Sequence, residues 1–200
     1  DKAVTANELF LSPSERADVL LDLRAAELGD QVMLASLPFD AMQFPAKPHA
    51  KHVPAPEPAS PPEIPVNGAQ LDLMLIRVTK KVRYERPVPE TLSKLDPVDI
   101  ESARDRRFVF DHAKGLWRIN GYSYRMTDTA FSVERGAREI WEFRNSGPAM
   151  PHPVHIHGFQ YRMLDRKGSP DHVKRLAVDE RGLPAAELGW KDSVLLWAGE

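Results

Sequence analysis

Two hundred residues, 42% hydrophobic and 28% charged, suffice for one large domain or two modest ones with a real core. The formal net charge is only -2, and the basic residues are scattered, which leaves no electrostatic footprint for nucleic acid or an anionic membrane. No apolar run nears the roughly 20 residues that span a bilayer, no leader opens the chain, and the absence of cysteine removes disulfides, iron–sulfur clusters, zinc–thiolate sites and thiol nucleophiles.

In chain order, residues 8–37 are short apolar runs broken by turn signals, Ser12-Pro13-Ser14 and Gly29-Asp30, which is β-rich punctuation. Residues 17–23 are expected as a strand, although the Leu and Ala content of residues 17–28 also suits a helix, and Gly29-Asp30 is expected to close the stretch like a hairpin turn. Residues 45–65 hold eight prolines, so backbone donors are scarce and an extended connector or loop is expected; His49 and His52 within it read as solvated. A strand resumes over residues 71–78. Residues 86–105, with Pro87, Pro89 and Pro97, read as an interdomain linker.

The remainder is densely strand-like, with runs at 108–110, 116–120, 129–133, 139–143, 154–164 and 193–197. Short strands at such spacing predict an all-β sandwich or barrel. In residues 139–144, Trp141 and Phe143 share one face and Glu142 and Arg144 the other, so this strand is expected to bury one side only. Neither end of the chain looks native, which makes a fragment of a longer protein the expectation.

The chemistry concentrates in Met150-Pro151-His152-Pro153-Val154-His155-Ile156-His157-Gly158, where three of the seven histidines fall within six residues. Imidazole is a common ligand for copper and zinc, and ligands close in sequence are brought together at little loop-closure cost. On a strand, His155 and His157 project the same way, about 6.6 Å apart along the chain, while His152 faces the other side with Val154 and Ile156. One strand would then serve two centres, a pair of imidazoles on one face and a single imidazole on the other. Pro153 places the segment at a strand start or an edge, and Gly158 reads as a bulge. A rival arrangement is a mononuclear zinc site using His155 and His157, completed by His112 or His172.

This run resembles the His-Pro-x-His-x-His-Gly motif of the multicopper oxidases, the family of laccases and bacterial copper-efflux oxidases. The wording around it is similar too, in Ile119-Asn120-Gly121, residues 134–141, residues 160–164 and Gly189-Trp190-Lys191-Asp192. Upstream, residues 12–23 are similar to the end of the family's second domain, and residues 89–99 to its interdomain connector. The resemblance implies cupredoxin-like Greek-key β-sandwich domains, two of them partial: residues 1–85 as the C-terminal part of domain 2, 86–105 as the linker, and 106–200 as the N-terminal part of domain 3.

It further implies that His152 is a ligand of the type 1 copper, His155 of the type 2 copper and His157 of one type 3 copper. Four coppers serve the complete enzyme: a small-molecule reducing substrate gives electrons at the type 1 site, and O2 is reduced to water at the trinuclear cluster. A blue copper site needs a cysteine thiolate. This chain has none, so the fragment alone is expected to be inactive. Asp192 reads as a residue orienting a copper-binding imidazole, or as a turn residue before a strand. Met150 reads as lining the substrate approach, or as plain packing. No nucleic-acid or membrane partner is expected, the oligomeric state is not legible, and a periplasmic or secreted location follows from the resemblance alone. A copper-free scaffold that keeps the fold without the chemistry stays open as the alternative from a different class.

Overall fold

The computed structural model describes residues 2–39, 68–83, 85–145 and 150–200. The proline-rich 45–65 stretch, with His49 and His52, lies outside them. The chain divides into two compact units, Asp18–Pro87 and a second that joins Asp1–Ala17 to Val88–Glu200. Among the described residues no helix is long and apolar enough to cross a membrane.

The Asp18–Pro87 unit is built on one antiparallel pair, β1 (Gln31–Ala35) and β2 (Asp72–Arg77), in register from Gln31↔Arg77 to Leu34↔Met74. Gly29, at φ 94°, sits in the turn that feeds β1, where Asp30 N–H donates to the Glu27 carbonyl at 3.1 Å. Positive φ is cheap only for glycine. The turn therefore opens this pair and closes no hairpin with residues 17–23. Those residues form neither strand nor helix: Val19, Leu20 and Leu21 are exposed, and no strand among the described residues lies beside them to take up their backbone groups.

The second unit carries β3 (Arg104–Ala113), β4 (Leu116–Ile119), β5 (Glu139–Asn145), β6 (His152–His155), β7 (Tyr161–Arg162), a single helical turn α1 (Asp171–Lys174), β8 (Trp190–Lys191) and β9 (Ser193–Leu196). The all-β expectation holds, with helix among the described residues confined to α1 and a short 3-10 turn at Ala185–Glu187. One sheet runs β4-β3-β5, with β3 and β5 parallel, and β6 pairs antiparallel with β9. Burial on both sides of β9 explains its unbroken apolar run. On one face Val194 and Leu196 join Val154 of β6 in a core that also takes Phe110 of β3, Phe143 of β5 and Tyr161 and Met163. This is sheet-on-sheet packing of the sandwich kind. On the other face Leu195 and Trp197 pack on Val173 of α1 and on Phe10, whose ring meets Trp197 edge-on at 4.8 Å.

The one-sided reading of β5 also holds. Trp141 and Phe143 stack around Phe108, while Glu142 accepts from Arg107 and Arg144 on the opposite face. Residues 129–133 differ from expectation and form no strand. Phe131 instead plugs the aromatic cluster against Phe108 and Trp141 and lies under the Arg106 guanidinium, so its apolar content serves packing without a ladder. The 154–164 run breaks in two: β6 ends at His155, residues 157–158 form a turn with Gly158 at φ 77°, and β7 begins at Tyr161. Gly158 therefore marks a turn and not a bulge.

Candidate metal centre

β6 places the first two motif histidines on opposite faces. His152 stands across from Leu196 and His155 across from Ser193. The pleat puts His152 on the side of buried Val154, and His155 on the outer side. The His152 ring is half-buried, stacked on Phe110 at 5.5 Å and met edge-on by Trp117 at 5.0 Å. Burial holds its pKa below the usual 6.5, so the ring is kept neutral, the form that coordinates a metal. Its Nε2 is buried with no hydrogen-bond partner among the described residues. Pro153, exposed between the two histidines, lacks the N–H that a strand on β6's far edge would need.

His155 and His157 come together on the outer face, ring centroids 4.7 Å apart and inclined at 67°. Although β6 has ended, the Ile156 N–H still donates to the Asp192 carbonyl at 3.0 Å, which carries the chain direction one residue further. Both rings line an open hollow with Gly158, Phe159, Gln160 and Asp192. His155 Nδ1 lies 2.9 Å from the Asp192 carbonyl oxygen and 2.7 Å from Ser193 Oγ. A carbonyl can only accept, so Nδ1 carries the proton and Nε2 is left with its lone pair.

Asp192 thus reaches the imidazole by its backbone, and by its side chain only through Ser193, whose hydroxyl donates to Asp192 Oδ1 at 3.1 Å. The carboxylate is gripped on both oxygens by Arg16, at 2.7 and 2.9 Å. That hydrogen bond, ahead of the Ser193 bond and the Arg16 charge, holds Asp192 down at about 2 despite some desolvation. Next to it Lys191 pairs with Glu15 at 2.6 Å, both side chains buried. Met150 is half-buried at the start of the motif, and its carbonyl accepts from Asn145 Nδ2 at 3.0 Å.

Ser193 and Arg16 are the residues that sequence reasoning missed. Ser193 opens the apolar run of β9, and alternation alone does not say which histidine it faces. Arg16 lies 176 positions away from Asp192, and no local signal joins them. Neither candidate for completing a zinc site is in place. His112 packs on Trp117 and His172 on Trp197, and among the described residues no three His, Asp or Glu side chains are grouped to hold a metal. Among the described residues neither His112 nor His172 therefore completes a zinc site with His155 and His157. The residues do fit a share in copper sites: a neutral, half-buried imidazole with one nitrogen unpartnered among the described residues on one face, and two clustered imidazoles on the other, one with its Nε2 left open.

Comparison with known proteins agrees with the geometry. The chain is 26% identical to a laccase of Bacillus subtilis (strain 168) over 219 aligned residues, which take in 100% of this chain and 37% of that protein. It is 29% identical to a bilirubin oxidase of Albifimbria verrucaria over 96 residues, 46% of this chain and 17% of that one. The fold is similar to the crystal structure of the McoA multicopper oxidase from the hyperthermophile Aquifex aeolicus, with a TM-score of 0.61 at 25% identity, covering 90% of this chain and 34% of that structure. The chain therefore spans about a third of the length of the laccase and of the McoA structure, and its all-β architecture is the cupredoxin-like one that the motif implied. The family model described as multicopper oxidase matches residues 91–200, more than half the chain and all of the histidine motif, and on that ground the chain belongs to the multicopper oxidase family.

Proposed function

We propose that the chain is part of a multicopper oxidase that oxidises a small-molecule reductant at a type 1 copper and reduces O2 to water at a trinuclear cluster. His152 would hold the type 1 copper, His155 the type 2 copper and His157 one type 3 copper. The domain reading accompanies this: residues 1–85 as the end of domain 2, 86–105 as the connector and 106–200 as the front of domain 3. The cysteine thiolate and the other histidines that the reading requires lie outside these 200 residues. An exported location, periplasmic or secreted, belongs to the same proposal.

The observation that carries it is the division of three near-neighbour imidazoles, His152 on one face of β6 and His155 on the other, where His157 joins it from the turn that follows. Copper, when bound, supplies one-electron transfer on one side of the strand and oxygen binding on the other. The chain's own residues prepare both faces. Phe110 and Trp117 flank the His152 ring, and its partial burial favours the unprotonated form. Opposite, Asp192 and Ser193 hold the Nδ1 proton of His155 and so turn Nε2 outward. Only the pleat, about 3.3 Å per residue, separates the two roles, so the covalent path between them is short and rigid.

The test is copper analysis and visible absorbance of the full-length protein and its His152→Ala variant. The expected result is several coppers and a blue band in the native protein, with the band abolished and most of the remaining copper retained in the variant. A colourless, copper-free native protein, or a variant that stays blue, refutes the proposal.

A further inference from the structure

Beside the histidines runs a hydrogen-bond chain whose proton directions are all determined. The Arg16 guanidinium can only donate, and it occupies both oxygens of Asp192 at 2.7 and 2.9 Å. An ionised carboxylate can only accept, so the Ser193 hydroxyl, 3.1 Å from Asp192 Oδ1, donates its one hydrogen there. That leaves only lone pairs on Ser193 Oγ, and these face His155 Nδ1 at 2.7 Å. The Asp192 carbonyl, at 2.9 Å from the same nitrogen, also only accepts. Every link therefore runs one way, from His155 through Ser193 to the carboxylate clamped by Arg16.

Two acceptors on one N–H constrain the ring more than either alone. The carbonyl fixes where Nδ1 sits, and the hydroxyl, aimed by Asp192, fixes the tilt about the Cβ–Cγ bond. Ser193 is fully buried at the start of β9 and in register with His155, so its own position is set by the ladder. We propose that Ser193 is a positioning residue for His155, oriented by the Asp192–Arg16 pair, which holds the ring as the Nδ1–H tautomer and presents Nε2 to the metal. This rests on the reading of His155 as a copper ligand. It assigns the work at this imidazole to Ser193 and to the segment carrying Arg16, where the sequence pointed to the Asp192 carboxylate acting directly.

The experiment uses the full-length protein, its Ser193→Ala and Ser193→Thr variants, and copper(II) ions as the only ligand. Copper-free protein is titrated with buffered copper(II), and the non-blue centre is followed by electron paramagnetic resonance, the blue centre by absorbance. Loss of an orienting partner of a metal-bound imidazole weakens metal binding about 10- to 100-fold. Ser193→Ala should weaken the non-blue centre to that extent while the blue band persists, and Ser193→Thr, which keeps the hydroxyl, should restore binding to within about threefold of native. Equal copper affinity of native and Ser193→Ala protein at the non-blue centre overturns the proposal and leaves the family reading standing. A native protein that binds no copper overturns the ligand reading and this proposal together. Should Ser193→Ala not fold, long-range proton–nitrogen spectra of the copper-free native protein decide the matter: a His155 ring protonated at Nδ1 supports the proposal, and one protonated at Nε2 overturns it.

Discussion

Replacing Arg166 with Ala tests the energetics of a deeply buried charge network. The Arg166 guanidinium, 4% exposed, makes a two-point contact with Glu187 at 2.6 and 2.7 Å and a third contact with Glu200 at 2.7 Å. It also donates to the Leu195 carbonyl at 2.9 Å, and Glu200 in turn accepts from Ser169 and from the Trp197 N–H. Burial by itself pushes Arg166 toward its neutral form, and the two carboxylates together more than reverse that, raising its pKa. Removing the cation leaves Glu187 and Glu200, 7% and 5% exposed, as buried charges with no counter-ion. Breaking a buried pair in this way costs about 3–5 kcal/mol, which for a unit of this size lowers the Tm by roughly 10 °C or more. Arg144→Ala is the control: its contact with Glu142 is about half exposed on both sides, and such pairs contribute about 0–1 kcal/mol. Urea unfolding followed by tryptophan fluorescence suits the comparison, because Trp197 is buried beside the network. A loss no larger for Arg166→Ala than for Arg144→Ala refutes the reasoning.

Other outcomes follow from single features. Gly168 adopts φ 79°, and a Cβ there would lie 2.3 Å from the Gly199 carbonyl oxygen, so Gly168→Ala should cost about 2 kcal/mol or more, read as a lowered urea midpoint with an unchanged m-value. Asp192 is held at about 2 against an ordinary 3.8, so its pairing stabilises the fold above pH 3.8 and the contribution is lost as pH falls through 2. Asp192→Asn should therefore show a shallower loss of stability than native protein between those two values in acid titrations followed by circular dichroism, and parallel curves would contradict the linkage. His152 is depressed by burial, so below 6.5 the unfolded chain takes up a proton that the folded one does not, and stability falls as pH drops. The metal-free His152→Gln protein should lack that component.

Much of the second unit was legible in the sequence because its short apolar runs are set apart by turn residues. The 108–110, 116–120, 139–143 and 193–197 runs all coincide with strands, and the two-faced residues of β5 were readable from their order alone. Failures came where apolar text lacks a ladder. Residues 17–23 find no partner strand among those described, and Phe131 sets its ring against Phe108 and Trp141 while its backbone joins no strand. Pairing is a property of two segments, so a run of apolar residues cannot announce it.

The sequence by itself determined that His152 and His155 take opposite sides of β6, because a pleat alternates whatever the strand pairs with. It also marked residues 193–197 as a strand-like run, where β9 lies. Only the tertiary structure decided that His155 stands opposite Ser193, that β3 and β5 run parallel, and that Arg16 reaches Asp192. Register and long-range ion pairs depend on chain closure over tens to hundreds of residues, and nothing local in the spelling of either partner records it.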